Sequence, residues 1–355
     1  MPVTVPDDWP EWPQEDLEYL GCCPVCDGVE RSLLHEDLID RWFHAAGRWT
    51  MHSCLGCGTG YIDPRPGQAS IGRAYTNYET HRPNSSSSTG EARLATRLRN
   101  GYLNVKYGYR MEPAARWGYW AMHLLPPPLR LEWDHYARHL VRPAPGRDRL
   151  LDVGCGNGEF LARARWQGWD VHGLDFDEAA LAHARKADIP VTQGAVERER
   201  FAADSFDAIT SHQVIEHVHD PMAFLRALHA WLKPGGRVWL GTPNIASGLH
   251  REFGPDWYNL HPPQHLVMFS PEALLSAMAS VGFLRAKLLP RGYLDSHFRR
   301  QSVQMRDTAD IGDWECFNGG RIPASPLMEQ LKLETRAWLK PGQASDLVVV
   351  AWKPE

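Results

Sequence analysis

The chain has 355 residues, of which 43% are apolar and 23% charged, so its composition excludes wholesale disorder and provides for about two or three domains. A formal net charge of −5 argues against a dedicated nucleic-acid binder, because such proteins usually depend on a broad basic surface. No apolar run reaches the roughly 18 residues that span a bilayer, and the acidic, proline-rich N-terminus is unlike a signal peptide, so we expect a cytoplasmic protein.

Two cysteine pairs with the same C-x2-C spacing lie near the start of the chain, and 27 residues separate them. Their members are Cys23, Cys26, Cys54 and Cys57. Seven cysteines in total, an odd number, fit a disulfide framework poorly, whereas two such pairs are typical of a structural zinc site closed by four thiolates. The sequence therefore predicts a zinc ribbon within residues 1–63. His44 and His52 remain alternative ligands, and four unligated buried thiols remain the alternative to Zn²⁺.

Residues 64–147 differ in character from the cysteine-rich region. A serine-rich stretch at 84–90 is typical of a loop, and helices are predicted at 91–99 and 129–140. The segment is too rich in Trp and Tyr for a solvated linker. We expect a helical connector that packs against the following domain and covers its site.

Short apolar strands alternate with amphipathic helices from residue 148 to the end of the chain, which predicts an α/β domain at 148–355. The predicted strands are 150–154, 170–175, 191–194, 206–211, 237–241, 285–289 and 346–352, and the predicted helices are 159–167, 177–187, 221–232 and 271–281. Such alternation indicates a parallel sheet covered on both faces. Because the chain ends on a strand, we expect an antiparallel final hairpin, with an insertion at 291–344 before the last strand.

A glycine-rich turn joins the first predicted strand of this domain to its first helix. The turn reads Asp152-Val-Gly154-Cys-Gly156-Asn-Gly158, and Asp175 ends the next strand about twenty residues later. Glycines let the backbone approach a ligand closely, and a carboxylate at the second strand can bind both hydroxyls of a ribose. The pattern therefore predicts a nucleoside-containing cofactor.

The third glycine comes one residue earlier than in the dinucleotide fingerprint. With the segments Phe206-Asp-Ala-Ile, His212-Gln-Val-Ile-Glu-His, Leu232-Lys-Pro-Gly-Gly and Thr242-Pro-Asn, this turn resembles the class I S-adenosylmethionine-dependent methyltransferases. The resemblance covers about residues 150–290 and the last strand. It implies a Rossmann-like fold and S-adenosylmethionine as the methyl donor.

The same resemblance assigns each part of the cofactor to a loop. It places the glycines against the amino-acid part, the acid after the second strand on the ribose and the aromatic residue beside it on the adenine. Residues after the third strand would flank the base, and residues after the fourth would line the floor near the methyl group. The implied cofactor residues are Asp152, Gly154, Gly156, Gly158, Asp175, Phe176, Ala195, Val196, Ser211, His212 and Gln213.

Two further segments supply candidate catalytic residues. Pro-Gln-His265-Leu-Val-Met-Phe-Ser resembles a stretch of methyltransferases of bacterial sugar and surface-polysaccharide pathways, and a neutral His suits a general base. The alternative is that His265 caps the helix entered at Ser270. A zinc ribbon followed by Tyr75 and Tyr78 resembles sugar C-methyltransferases, in which such tyrosines reach the active site. The alternative is an aromatic helix face packed on the core, an interpretation that suits Tyr75 better than Tyr78.

The segment Gln213-Val-Ile-Glu216-His217 resembles the Glu-x-x-Glu-His pattern that can hold a divalent cation in ubiquinone-pathway and small-RNA methyltransferases. A neutral amide at the first position is a poorer ligand for a hard cation, so we predict no catalytic metal. His217 is the second candidate base.

These features together predict a methyltransferase that acts on a sugar, a glycan or a related small molecule, at oxygen or at carbon. Three alternatives remain open. They are O-methylation of a phenolic or quinone-like metabolite, RNA methylation, and a non-catalytic scaffold that binds S-adenosylmethionine.

Overall fold

The computed structural model describes residues 8–76, 90–198, 201–291, 294–307 and 327–355. Its strands are β1 (Leu17–Glu18), β2 (Arg31–Leu38), β3 (Trp49–Cys54), β4 (Gly60–Ile62), β5 (Arg65–Pro66), β6 (Arg149–Val153), β7 (Asp170–Asp175), β8 (Val191–Gln193), β9 (Phe206–His212), β10 (Leu232–Pro243), β11 (Val267–Met268), β12 (Leu284–Leu289) and β13 (Asp346–Trp352). Its helices are α1 (Gly90–Tyr107), α2 (Gly118–His123), α3 (Pro127–Tyr136), α4 (Glu159–Trp166), α5 (Glu178–Lys186), α6 (Pro221–Trp231), α7 (Gly248–Phe253), α8 (Pro271–Val281), α9 (Asp295–Asp307) and α10 (Leu327–Leu339). Within these residues no helix combines the length and the apolar character needed to cross a membrane.

A seven-stranded sheet in the order β12-β13-β10-β9-β6-β7-β8 forms the centre of the molecule. The pairs from β10 to β8 are parallel, and β13 pairs antiparallel with both β10 and β12. The Rossmann-like fold with an antiparallel final hairpin, predicted from the sequence, is confirmed. The last strand was expected at the edge of the sheet, but β13 lies between β12 and β10 and is buried along nearly its whole length.

The strand order reverses at β6, which has β7 on one side and β9 on the other. In open α/β sheets the ligand crevice lies beyond the carboxyl ends of the strands at such a reversal. The helices that enter this end are firmly capped: Asp220 accepts from the amide of Ala223 at 2.7 Å before α6, and Ser270 accepts from that of Ala273 at 3.1 Å before α8. The fold therefore places the glycine turn after β6 at the expected site.

A second sheet, in the order β11-β4-β3-β2, carries the cysteine-rich region. Its edge strand β11 comes from residues 267–268, so the α/β domain supplies one strand of the ribbon sheet, with Val267 opposite Tyr61. The amide of Ile62 also donates to the carbonyl of Leu266 at 3.0 Å. The ribbon is thus hydrogen-bonded to the segment that directly follows His265.

The helices α1, α2 and α3 form a separate apolar cluster around one buried carboxylate. Asp134 accepts from the hydroxyls of Tyr102 at 2.9 Å and Tyr107 at 2.8 Å, and pairs with the ammonium of Lys106 at 2.7 Å. The helices α9 and α10 lie in the segment before β13. The Glu334 carboxylate of α10 accepts from the amide of Ser296, at the start of α9, at 2.9 Å.

Candidate active site

The backbone of the glycine turn after β6 requires glycine. Gly154, Gly156 and Gly158 have φ angles of 73°, 52° and 76°, in the left-handed region. A Cβ on Gly154 would lie 2.2 Å from Cγ2 of Val214, and one on Gly158 would lie 2.8 Å from Cβ of Ala184. A larger residue would therefore push the turn away from the segment after β9 and from α5.

Asp175 and the glycine turn form one unit. The Asp175 carboxylate accepts from the amide of Gly156 at 2.8 Å and from that of Asp177 at 2.9 Å. Phe176, the next residue, is 60% exposed, so its ring is open to a planar ligand. A fixed carboxylate beside an exposed aromatic ring fits the ribose and adenine of S-adenosylmethionine.

Asp152 is buried under an arginine that the sequence analysis missed. Its Oδ1 accepts from the hydroxyl of Thr210 at 2.8 Å and pairs with the guanidinium of Arg138, which also lies 3.7 Å from the ring centroid of Phe160. Burial raises the pKa of Asp152, and the charge of Arg138 opposes that shift. The other carboxylate oxygen, Oδ2, is buried with no hydrogen-bond partner among the described residues.

The loop after β8 lies beside Asp175, as predicted for a loop that flanks the base. The amide of Gly194 donates to the main-chain carbonyl of Asp175 at 2.8 Å. Val196 is buried, whereas Ala195 is half-buried. The structure therefore brings this loop against the end of β7, next to Asp175.

The residues at the end of β9 are turned toward an ion pair that the sequence analysis also missed. Arg291 pairs with Asp346 at 2.7 Å. Gln213 donates its amide to Asp346 at 3.2 Å, and the Nε2 atom of His212 lies 3.0 Å from the guanidinium of Arg291. The hydroxyl of Ser211 is buried without a partner among the described residues. The residues predicted to lie under the methyl group therefore contact Arg291, at the start of the predicted insertion, and Asp346, just after its end.

His217 and His265 lie face to edge, with ring centroids 4.7 Å apart. The Nδ1 atom of His217 lies 2.9 Å from the main-chain carbonyl of Gln264, and that of His265 lies 2.7 Å from the carbonyl of Asn259. A carbonyl can only accept, so each ring carries its proton on Nδ1 and its lone pair on Nε2. Burial lowers the pKa of His217 to about 4 and, with the neighbouring histidines, lowers that of His265 as well. Both rings are therefore neutral bases at pH 7.

The alternative role of His265 as a helix cap is wrong, because the side chain of Ser270 caps α8 and His265 bonds elsewhere. Tyr75 reaches the site: its hydroxyl lies 3.0 Å from Nδ1 of His217, and its ring lies 5.7 Å from that of Phe176. The sequence favoured a packing role for Tyr75, yet the structure shows this residue in contact with both Phe176 and His217. Tyr78 lies outside the described residues.

Glu216 completes a cluster of possible metal ligands with His217 and His265, whose donor atoms lie within 4.8 Å of one another. Glu216 accepts from the hydroxyl of Thr242 at 2.9 Å through one oxygen, and its other oxygen is buried without a partner among the described residues. Burial raises the pKa of Glu216 to about 8. Gln213, the residue behind the prediction of no catalytic metal, donates its amide to Asp346; the absence of a catalytic metal stays a prediction.

Comparison with known proteins identifies the family. A methyltransferase-domain family matches residues 129–284. The ubiquinone biosynthesis O-methyltransferase of Pseudomonas aeruginosa (strain UCBPP-PA14) is 35% identical over 194 residues, which are 53% of this chain and 68% of that protein. The protein of the same name from Acinetobacter baylyi is 31% identical over 199 residues, 52% of this chain and 69% of that one. The chain belongs to the S-adenosylmethionine-dependent methyltransferases.

Among solved structures, an S-adenosylmethionine-dependent methyltransferase from Mesorhizobium loti is similar at 20% identity and a TM-score of 0.42, over 63% of this chain and 98% of that one. The family assignment confirms the predicted enzyme and methyl donor and favours catalysis over the scaffold alternative. Both relatives are named as O-methyltransferases of ubiquinone biosynthesis.

The four cysteines of this methyltransferase come together as predicted from their spacing. The Sγ atoms of Cys26 and Cys54 are 3.5 Å apart, those of Cys23 and Cys57 are 3.7 Å apart, and all four lie within 4.8 Å of one another. A tetrahedron with Zn–S bonds of about 2.3 Å separates its sulfurs by about 3.8 Å. The donor set therefore fits Zn²⁺, and within the described chain His44 and His52 are not part of this group.

We expect purified protein to contain about one zinc per chain, held by these thiolates. Replacing Cys54 with serine removes one ligand, so we expect loss of bound zinc and a lower unfolding temperature. Elemental analysis and thermal unfolding measure both. The matched control is Cys22→Ser, which changes a neighbouring thiol outside the cluster. A Cys54→Ser protein with full zinc and full stability would contradict the zinc assignment.

Proposed function

We propose that this methyltransferase transfers the methyl group of S-adenosylmethionine to a hydroxyl oxygen of a small-molecule acceptor, with the His217–His265 pair as the general base. One observation carries the proposal: the buried rings of His217 and His265 lie 4.7 Å apart, each with Nδ1 against a main-chain carbonyl. The hydroxyl of Tyr75 lies 3.0 Å from Nδ1 of His217, and its ring lies 5.7 Å from that of Phe176. S-adenosylmethionine supplies an already activated methyl group. The protein therefore contributes positioning and removal of the acceptor proton.

The proton of the acceptor hydroxyl would pass to Nε2 of one histidine. The resulting imidazolium would be stabilised through its Nδ1–H, which already faces a main-chain carbonyl in both His217 and His265. Because the two rings are in contact, only one proton is easily taken up, and the apparent pKa belongs to the pair. Asp175 and the glycine turn would hold the cofactor on the other side of Tyr75.

A phenolic or hydroxyquinone-like acceptor is the first candidate, supported by the names of the relatives. A phenol loses its proton more readily than an alcohol, which suits a base whose own pKa is depressed by burial. Methylation of a nucleotide-linked sugar, at oxygen or carbon, is the second candidate. It is supported by the position of Tyr75 after the cysteine-rich region and against His217.

The test is formation of S-adenosylhomocysteine by purified enzyme with a panel of catechols, hydroxyquinols, nucleotide-linked sugars and RNA. We expect turnover with the phenolic set, and an Asp175→Ala enzyme should need roughly 10–100 times more cofactor, from a loss of about 1.5–3 kcal/mol. Parallel reactions with EDTA or added Mg²⁺ test the prediction of no catalytic metal. Turnover with the nucleotide-linked sugars alone would replace the first candidate by the second.

A further inference from the structure

A buried aspartate closes the loop that follows β2 in the cysteine-rich region. Asp40 is 1% exposed, and its Oδ1 accepts from the amides of Trp42 and Phe43, both at 2.9 Å. Its Oδ2 accepts from the amide of Ala45 at 3.1 Å. These donors can only donate, so the loop is folded around a carboxylate that accepts from every side.

The fourth donor to this carboxylate comes from the α/β domain. Gln264 is fully buried, and its Nε2 donates to Oδ2 of Asp40 and to the main-chain carbonyl of Ala74, both at 2.8 Å. The main-chain carbonyl of Gln264 is the acceptor that faces Nδ1 of His217 at 2.9 Å. One residue thus joins the ribbon loop to the candidate base.

Both neighbours of the His217 Nδ1 atom are connected to this junction. Ala74, held by Gln264, directly precedes Tyr75, whose hydroxyl lies 3.0 Å from the same nitrogen. The nearest cation in the loop, Arg41, is directed elsewhere: it pairs with Asp256 at 2.6 Å and donates to the carbonyl of Met305.

We propose that Asp40 and Gln264 are positioning residues that fix the tautomer of His217. By holding the Gln264 carbonyl against Nδ1, they keep the proton on Nδ1 and the lone pair on Nε2, where it can act on an acceptor. Without the hold on Gln264, the carbonyl can shift and the Nε2–H tautomer becomes accessible, which places the proton on the atom that must receive one. The catalytic part of this inference rests on the proposed function, but the tautomer does not.

The test uses full-length protein labelled with ¹⁵N in histidine, and a His217→Gln spectrum assigns the signal of His217. In the wild type we expect a protonated Nδ1 and an unprotonated Nε2. In Gln264→Glu, which keeps the side-chain shape but loses both donations and faces Asp40 with a like charge, we expect a mixture of tautomers. Asp40→Asn should shift the same signal less, because it keeps the oxygen that faces Trp42 and Phe43.

Arg41→Gln is the matched control, since it changes the same loop without touching this network. We expect the Gln264→Glu enzyme to bind S-adenosylmethionine within about twofold of wild type but to turn over roughly 10–100-fold more slowly, while the control retains wild-type turnover. An unchanged tautomer in folded Gln264→Glu, or the same change in Arg41→Gln, would overturn the proposal.

If neither network variant folds, the wild-type spectrum decides alone, because an Nε2–H tautomer of His217 contradicts the proposed hold. A tautomer shift in the variants with no turnover of any acceptor by wild type would support the positioning role and refute the proposed function instead.

Discussion

Replacement of His217 by glutamine is expected to lower turnover by about 10²–10⁴-fold, the usual contribution of a positioned base. Glutamine offers no lone pair of comparable basicity at the position of Nε2. It can still occupy the space between Tyr75 and the carbonyl of Gln264, the two groups that flank the ring in the wild type. Affinity for S-adenosylmethionine should stay within about threefold, because Asp175 and the glycine turn are untouched. Steady-state kinetics and calorimetry measure the two effects separately.

His250→Gln provides a matched control for this variant. His250 is also a buried histidine with Nδ1 against a main-chain carbonyl, that of Ile245 at 2.6 Å, but its Nε2 meets His35 at 2.8 Å, outside the site. Equal losses of turnover in both variants would assign a structural role to His217. A parallel loss of cofactor affinity in His217→Gln would do the same. His265→Gln tests the second member of the pair by the same measurements.

We also expect the buried histidines near the candidate base to reduce stability on acidification below about pH 6.5. Burial lowers the pKa of His217 to about 4 and that of His261 to about 3, and lowers that of His265 as well, whereas an unfolded histidine titrates near 6.5. The folded pKa values are depressed, so below 6.5 the unfolded chain binds more protons and stability falls as the pH falls. Each such histidine contributes about 1.4 kcal/mol per pH unit in that window.

These three histidines would contribute on the order of 4 kcal/mol per pH unit below about pH 6, against a total stability of about 5–15 kcal/mol. Glu216 and Asp295 would offset part of that slope, because burial raises their pKa values and keeps them protonated in the folded state. Urea unfolding at several pH values between 7.5 and 5.5 measures the slope, with zinc content followed in the same samples because protonated thiols release the metal. His261→Gln removes one titrating group and should flatten the slope by about 1.4 kcal/mol per pH unit. A free energy of unfolding that does not change between pH 7 and 5.5 would contradict the account.

The parts of the fold with strong local signals were predicted from the sequence. The bounds of β7, β13 and α8 match the predictions, because period and capping residues define them locally. β10 starts at Leu232, earlier than predicted, since its first pairing with β9 precedes a register shift that no local pattern reveals. The glycine turn and Asp175 were likewise predicted, because their geometry depends on residues close in sequence.

The residues that were missed meet partners in other elements of the fold, with no local pattern that pairs them. Arg138 meets Asp152 from the connector, and Asp40 meets Gln264 across 224 positions. Asp346 gave a usable signal, as a carboxylate at the start of an otherwise apolar strand, but its partner Arg291 lies at the far end of the insertion. Such contacts follow from strand order and from the pairing of β11 with β4, which composition and spacing do not specify.

The central claim, methyl transfer to oxygen, is tested most directly by incubating the enzyme with S-adenosylmethionine that carries a deuterated methyl group and with the phenolic acceptor that gives turnover. The account predicts stoichiometric S-adenosylhomocysteine and a product whose deuterated methyl group is bonded to oxygen by NMR, with both absent from the His217→Gln reaction at matched times. A product whose deuterated methyl group is bonded to carbon would contradict it.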